Sequence, residues 1–144
     1  MELEKDISIE IENISEQGNE LFDNENYLAA IKVWEKALAL IPIPQNMYCE
    51  TLWLEASIGD AYFMLKNNEE ARIHFENAKG NLVELAYENP FIMLRLGQIY
   101  LNMNDSQNAK EYLLRAYLLK GEDIFLDEDP AYFKFLKETV LNVE

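Results

Sequence analysis

The stretch IGDAYFMLKNNEEARIHFENA, residues 58–78, decides the fold. Gly59 is followed by Tyr62, then by the polar break Lys66-Asn67-Asn68, then by Ala71, Phe75 and Ala78. The same offsets recur from Gly18, through Leu21, Ala30, Trp34 and Ala37. They recur again from Gly97, through Tyr100, Ala109, Leu113 and Ala116. A spacing kept three times over this distance marks one supersecondary unit used three times.

Each unit reads as two helices, because the apolar residues on both sides of the break follow a 3.6-residue period. The equivalent breaks are Asp23-Asn24-Glu25-Asn26 and Asn102-Met103-Asn104-Asp105-Ser106, rich in the residues that end helices. The second helices are expected over 26–41, 68–88 and 106–120. Glycine inside a helix costs about 1 kcal/mol. Three such glycines therefore imply close helix crossings, and the expected arrangement sets each unit's first alanine opposite its glycine.

These residues resemble the tetratricopeptide (TPR) repeat, W-x2-L-G-x2-Y followed by A-x3-F and a terminal Pro. The resemblance covers 11–44, 52–85 and 90–123 within a single domain spanning 1–144. It rests on Gly18, Ala30, Trp34, Ala37 and Pro42; on Ile58-Gly59, Tyr62, Ala71, Phe75 and Ala78; and on Leu96-Gly97, Tyr100, Ala109 and Ala116. Departures are Ile14, Glu55 and Met93 at the tryptophan position, and Val83 and Gly121 at the terminal proline. The resemblance implies an all-α, right-handed α-α superhelix of three helical hairpins that binds protein. The chain is therefore expected not to be an enzyme and to need no cofactor.

Asp129-Pro130 is a helix start, an N-cap carboxylate before proline at the first helical position. Tyr132, Phe133, Leu136, Val140 and Leu141 give 131–142 an apolar face. An open repeat array needs such a capping helix. Phe125 is expected to tuck inward and pin the acidic loop. At the other end, Ile7, Ile9 and Ile11 alternate as in a strand, but Ile7, Ile11 and Ile14 fit a helix face leading into the first unit.

The 144 residues carry a net charge of −15. Phosphate binding needs a basic patch, so nucleic acid is excluded as a partner, and anionic membrane surfaces are disfavoured. An acidic N-terminus, no long apolar run and a single cysteine point to the cytoplasm. Residues 1–25 hold −8 and residues 121–130 hold −5 of the charge. Such concentration suits a basic partner better than solubility alone does.

No catalytic constellation is present. His74 lies beside Phe75 without metal-ligand spacing around it and reads as a surface histidine. Cys49 reads as a packing residue. Asp123, Asp127, Glu128 and Asp129 lack the alternation, central Gly and terminal Glu of a calcium loop, so they form a solvated acidic loop and no metal site.

The TPR resemblance implies that the first helix of each unit lines a binding groove. A wheel at about 100° per residue, phased on Gly18, selects Glu12, Ser15, Glu16, Asn19, Phe22 and Asp23. The same offsets select Trp53, Ala56, Ser57, Asp60, Phe63 and Met64, then Phe91, Leu94, Arg95, Gln98, Leu101 and Asn102. Of these, Glu12, Glu16, Asn19, Phe22, Asp23, Trp53, Asp60, Phe63, Met64, Phe91, Arg95 and Gln98 are the expected partner-binding residues. Asp123, Asp127 and Glu128 would add charge. Acids there disfavour the carboxylate clamp that the best-known TPR adaptors use, and the aromatics are expected anchors for a basic or apolar segment. The tail GEDIFLDEDPAYFKFL resembles those of small bacterial TPR immunity proteins, which implies neutralisation of a basic toxin. A secretion chaperone that holds an apolar segment of an exported client is the alternative.

Overall fold

The computed structural model describes residues 1–80 and 83–142. It is an all-α, TPR-like helical repeat fold with no strand among the described residues. Among the described residues the α-helices are α1 (Lys5–Asp23), α2 (Tyr27–Ala39), α3 (Cys49–Met64), α4 (Asn68–Gly80), α5 (Val83–Tyr87), α6 (Pro90–Asn102), α7 (Ser106–Lys120) and α8 (Pro130–Leu136). The chain divides into two compact units, Met1–Val83 and Glu84–Glu144. The expected single helix over 68–88 spans residues 81–82, which lie outside the described residues.

In unit 1, α1 pairs with α2, α2 packs on α3, and α3 pairs with α4. Ile11, Ile31, Trp34, Leu54 and Ile58 are buried together, and Ile7, Ile14 and Leu21 pack against them. The N-terminal isoleucines are thus helical: Ile11 is buried while Ile9, off the apolar face, is exposed.

The helix pairs interlock differently from the sequence expectation. All six repeat alanines are fully buried, but the bulky residue four places after the first alanine lies over each glycine. A Cβ on Gly18 would come within 2.2 Å of the Trp34 indole, and one on Gly59 within 2.7 Å of the Phe75 ring. On Gly97 it would meet Leu113 side-chain atoms at 2.6 Å and the Leu113 backbone nitrogen at 2.9 Å. The glycine is the seat for a large side chain, and the alanines let the second helix come close enough to fill it.

Each of these three hairpins turns through the same motif. Glu25, Lys66 and Asn104 adopt left-handed φ values of 61°, 62° and 63°. The next amides, of Asn26, Asn67 and Asp105, then donate back to the carbonyls of Leu21, Tyr62 and Tyr100 at 2.8–2.9 Å. This satisfies carbonyls that a helix end would otherwise leave without partners. Asn67 and Asp105 also start the following helix, accepting from Glu70 N and Asn108 N at 3.2 and 3.1 Å. The Asn108 side-chain amide, which donates to Asp105 Oδ2 at 2.8 Å, and then the Asn108 backbone N–H lower the pKa of the Asp105 carboxyl.

In unit 2, Asn89 caps α6 by accepting from Ile92 N at 3.0 Å, with Pro90 at the first position. The polypeptide leaves α7 at Gly121, whose φ of 80° favours glycine. A 3-10 turn (Glu122–Phe125) follows, then a loop to Asp129, which caps α8 by accepting from Ala131 N at 2.9 Å. Phe125 is buried and stacks on Phe133 with centroids 4.8 Å apart. The expected regular helix over 131–142 is only partly so, because α8 widens after Leu136 into a π-helical turn, Lys137–Leu141. There Thr139 Oγ1 donates to the Phe135 carbonyl at 2.6 Å, a back-bond of the kind that bends helices.

Candidate functional site

In unit 1, the stripe along α1 faces a cleft of about 360 Å³ whose other wall is α3. Glu12, Ser15 and Asn19 line it from α1, and Glu50, Trp53 and Ser57 from α3. Trp34 closes the floor, with its indole N–H donating to the Ser15 carbonyl at 3.2 Å. That bond fixes the floor ring, whereas Trp53 stays 47% exposed. The cleft is large enough for one or two side chains of another molecule. It sets the carboxylates of Glu12 and Glu50 and the hydroxyls of Ser8, Ser15 and Ser57 around an aromatic face.

Of the residues expected to bind, Glu12, Asn19 and Trp53 meet in this cleft. Glu16 and Asp23 are exposed but lie outside its lining. Phe22 belongs to the hairpin core, edge-on to Tyr27 at 5.0 Å and tilted against Trp34 at 6.0 Å. Asp60 and Phe63 are half-buried and Met64 is exposed, none of them in the cleft lining. Glu50 was missed by the wheel, although 50, 53 and 57 share one helix face. The expected stripe began at Trp53, one turn too late.

His74 is not a surface histidine. Its ring is stacked on Tyr62 at 5.4 Å, and Nδ1 lies 2.8 Å from the carboxylate of buried Glu55. Asn77 also donates to Glu55, at 3.3 Å. The acid in the family's tryptophan position is thereby satisfied from α4. Cys49, expected to pack, is exposed at the start of α3.

In unit 2, Phe91 is partly exposed, and the Arg95 guanidinium lies 5.0 Å from its ring centroid. Arg95 and Gln98 do not line an open face; they are 8% and 0% exposed. Arg95 Nη1 and Gln98 Nε2 both donate to Glu128 Oε1, at 2.6 and 2.8 Å, and Arg95 also donates to Gln98 Oε1 at 2.8 Å. Tyr132 Oη donates to Asn102 Oδ1 at 2.9 Å, and burial raises the Tyr132 pKa. Thus Glu128 is held inward, while Asp123 and Asp127 remain exposed on the loop. A cleft of about 690 Å³ lies beside it, between Phe125 and Leu126 on one side and Phe133 and Lys137 on the other.

The tetratricopeptide repeat family model matches residues 92–123, which include all of α7 and most of α6. The match supports a relationship to that family. No curated protein matches the chain. The repeat suggests a protein–protein interaction module, on a fold that is typically non-catalytic. Among the described residues no helix is long and apolar enough to cross a membrane, and no group of three or more His, Cys, Asp or Glu could hold a metal.

Proposed function

We propose that the α1–α3 cleft binds a basic segment of a partner protein, and that the chain acts in the cytoplasm as an immunity protein neutralising a basic toxin. The observation that carries this reading is the half-exposed Trp53 ring beside Glu12 and Glu50. A lysine or arginine laid on an indole gains cation–π attraction, and the two carboxylates supply the counter-charge. The −8 carried by residues 1–25 would steer such a partner inward. The exposed Met64 on α3 favours a second reading, a secretion chaperone holding an apolar client segment.

Capped peptides of equal length, one lysine- and arginine-rich, one acidic and one apolar, separate these readings. The basic peptide should bind best, with an on-rate that falls as salt screens charge over about 8 Å. Trp53→Ala should weaken it about ten-fold or more, and Glu12→Gln with Glu50→Gln should slow association. Salt-independent binding of the apolar peptide supports the chaperone. Basic-peptide binding unaffected by Trp53→Ala would remove the cleft from the mechanism.

A further inference from the structure

Unit 1 holds a second cavity, of about 370 Å³, lined from the 3-10 turn Gln45–Met47, from α3 and from α4. It shares no residue with the α1–α3 cleft. Its side chains have turned their donors elsewhere. Gln45 Nε2 donates to the Leu38 and Ile41 carbonyls at 2.9 and 3.0 Å, which uses both amide hydrogens. The hydroxyl of buried Thr51 donates to the Gln45 backbone carbonyl at 2.7 Å. Beside them stands Glu55, only 7% exposed, where the repeat pattern has tryptophan. Its Oε2 faces His74 Nδ1 at 2.8 Å and accepts from Asn77 at 3.3 Å. Oε1 takes no hydrogen bond among the described residues and is not sealed from solvent. No Lys, Arg or His lines the cavity, and the other carboxylate there, Glu76, is paired with Lys79 at 2.9 Å. What the cavity offers is therefore lone pairs around one buried carboxylate.

We propose that this cavity binds a primary alkylammonium group, with Glu55 Oε1 as its counter-ion and the side-chain oxygens of Thr51 and Gln45 as further acceptors. An ammonium carries all its donors on one nitrogen and can turn them towards acceptors on several sides. A guanidinium pairs best with both oxygens of a carboxylate, and Oε2 of Glu55 is already engaged from α4. A quaternary ammonium brings charge without a donor and leaves the lone pairs unmatched. The volume admits a short alkyl chain behind the head group. That chain can belong to a free amine or to a lysine side chain of another protein, since both present the same methylene-ammonium end. The site is independent of the basic-segment reading of the α1–α3 cleft, which rests on an indole face and other carboxylates.

The test titrates the full, isotope-labelled chain with butylammonium and, separately, with lysine capped at both ends, followed by NMR. Shifts should centre on the amides of Thr51, Asn77 and Gly80. Tighter binding of butylammonium would assign the site to free amines, and tighter binding of capped lysine to a protein side chain. Butyltrimethylammonium keeps the charge and the chain but has no N–H, and should bind about ten-fold more weakly or worse. Glu55→Gln should weaken butylammonium by about ten-fold or more. If that variant does not fold, Gly80→Leu tests the same cavity. Gly80 lines it, and a Cβ added there would meet nothing within 4 Å, so the leucine enters open space. It should leave the melting temperature intact and weaken butylammonium about three-fold or more by filling the cavity. Shifts at Ser15 and the Trp53 indole in place of Thr51 and Asn77 would put the amine in the α1–α3 cleft and overturn this site. Equal binding of the trimethyl compound, or a folded Glu55→Gln chain that binds like the wild type, also overturns the proposal.

Discussion

In unit 1 the polar stripe of α1 opens on a cleft bounded by the exposed ring of Trp53, whereas in unit 2 Glu128 and Tyr132 close over the matching stripe of α6. Both stripes sit at the same offsets from their glycines, so the helix pairs alone do not set the difference. It comes from what the polypeptide does after the second helix. Beyond α2 it passes through the 3-10 turn Gln45–Met47 into α3, which becomes the far wall of the cleft. Beyond α7 it turns at Gly121 and brings a carboxylate, a phenol and α8 back onto its own helix pair. The same repeat surface can therefore be left open or be covered by the chain itself.

The largest expected effect follows from removing that closure. A chain ending at Gly121 loses buried Phe125 and Leu136, each worth about 1.5–3 kcal/mol of burial, and loses the Glu128 carboxylate to which Arg95 and Gln98 donate. Amide exchange in α6 and α7 should accelerate strongly, and α1 and α3 should keep their protection. Unchanged protection of α6 would mean that the closing segment contributes nothing to unit 2.

A smaller effect compares the glycine seats. Alanine at Gly59 meets only the Phe75 ring, which can shift, whereas alanine at Gly97 also meets the Leu113 backbone nitrogen at 2.9 Å. Overpacking costs typically about 1–3 kcal/mol, offset by about 1 kcal/mol of helix propensity. Gly97→Ala should therefore cost about 1–2 kcal/mol and Gly59→Ala less, as read by chemical denaturation. The reverse order would show that the Phe75 ring is the more rigid neighbour.

These contrasts also show why one part of the molecule was legible in the sequence and another was not. The Gly–Ala spacing reports contacts within a hairpin, where 3.6-residue periodicity fixes which residues can meet, so helix pairs and breaks were readable. The identity of the residue over the glycine was misread because spacing does not say which of Ala30 or Trp34 fills the space. The wheel brought Glu12, Asn19 and Trp53 into one cleft, since α1 and α3 run regularly. It could not foresee that Arg95 and Gln98 would be taken by Glu128, because no period links residues thirty apart through a turn at Gly121. His74 was misplaced for a similar reason: its partner Glu55 is on another helix.

The smallest effect concerns the left-handed residues in the hairpin turns. Lys66 in unit 1 and Asn104 in unit 2 hold nearly the same φ, 62° and 63°, but at different cost. A side chain with a Cβ pays about 1–2 kcal/mol in this region, and asparagine is among the few that visit it routinely. Glycine removes the strain but gives the unfolded chain about 0.5–1 kcal/mol more entropy to lose. Lys66→Gly should accordingly stabilise by about 0.5–1 kcal/mol, a rise of roughly 2–4 °C in Tm, while Asn104→Gly should change little. Because Lys66→Gly also deletes a positive charge from a chain of net charge −15, the proper reference is Lys66→Gln, which deletes the charge and keeps the strain. If Lys66→Gly melts no higher than Lys66→Gln, the left-handed turn carries no strain to relieve, and the two hairpins are equivalent at this position.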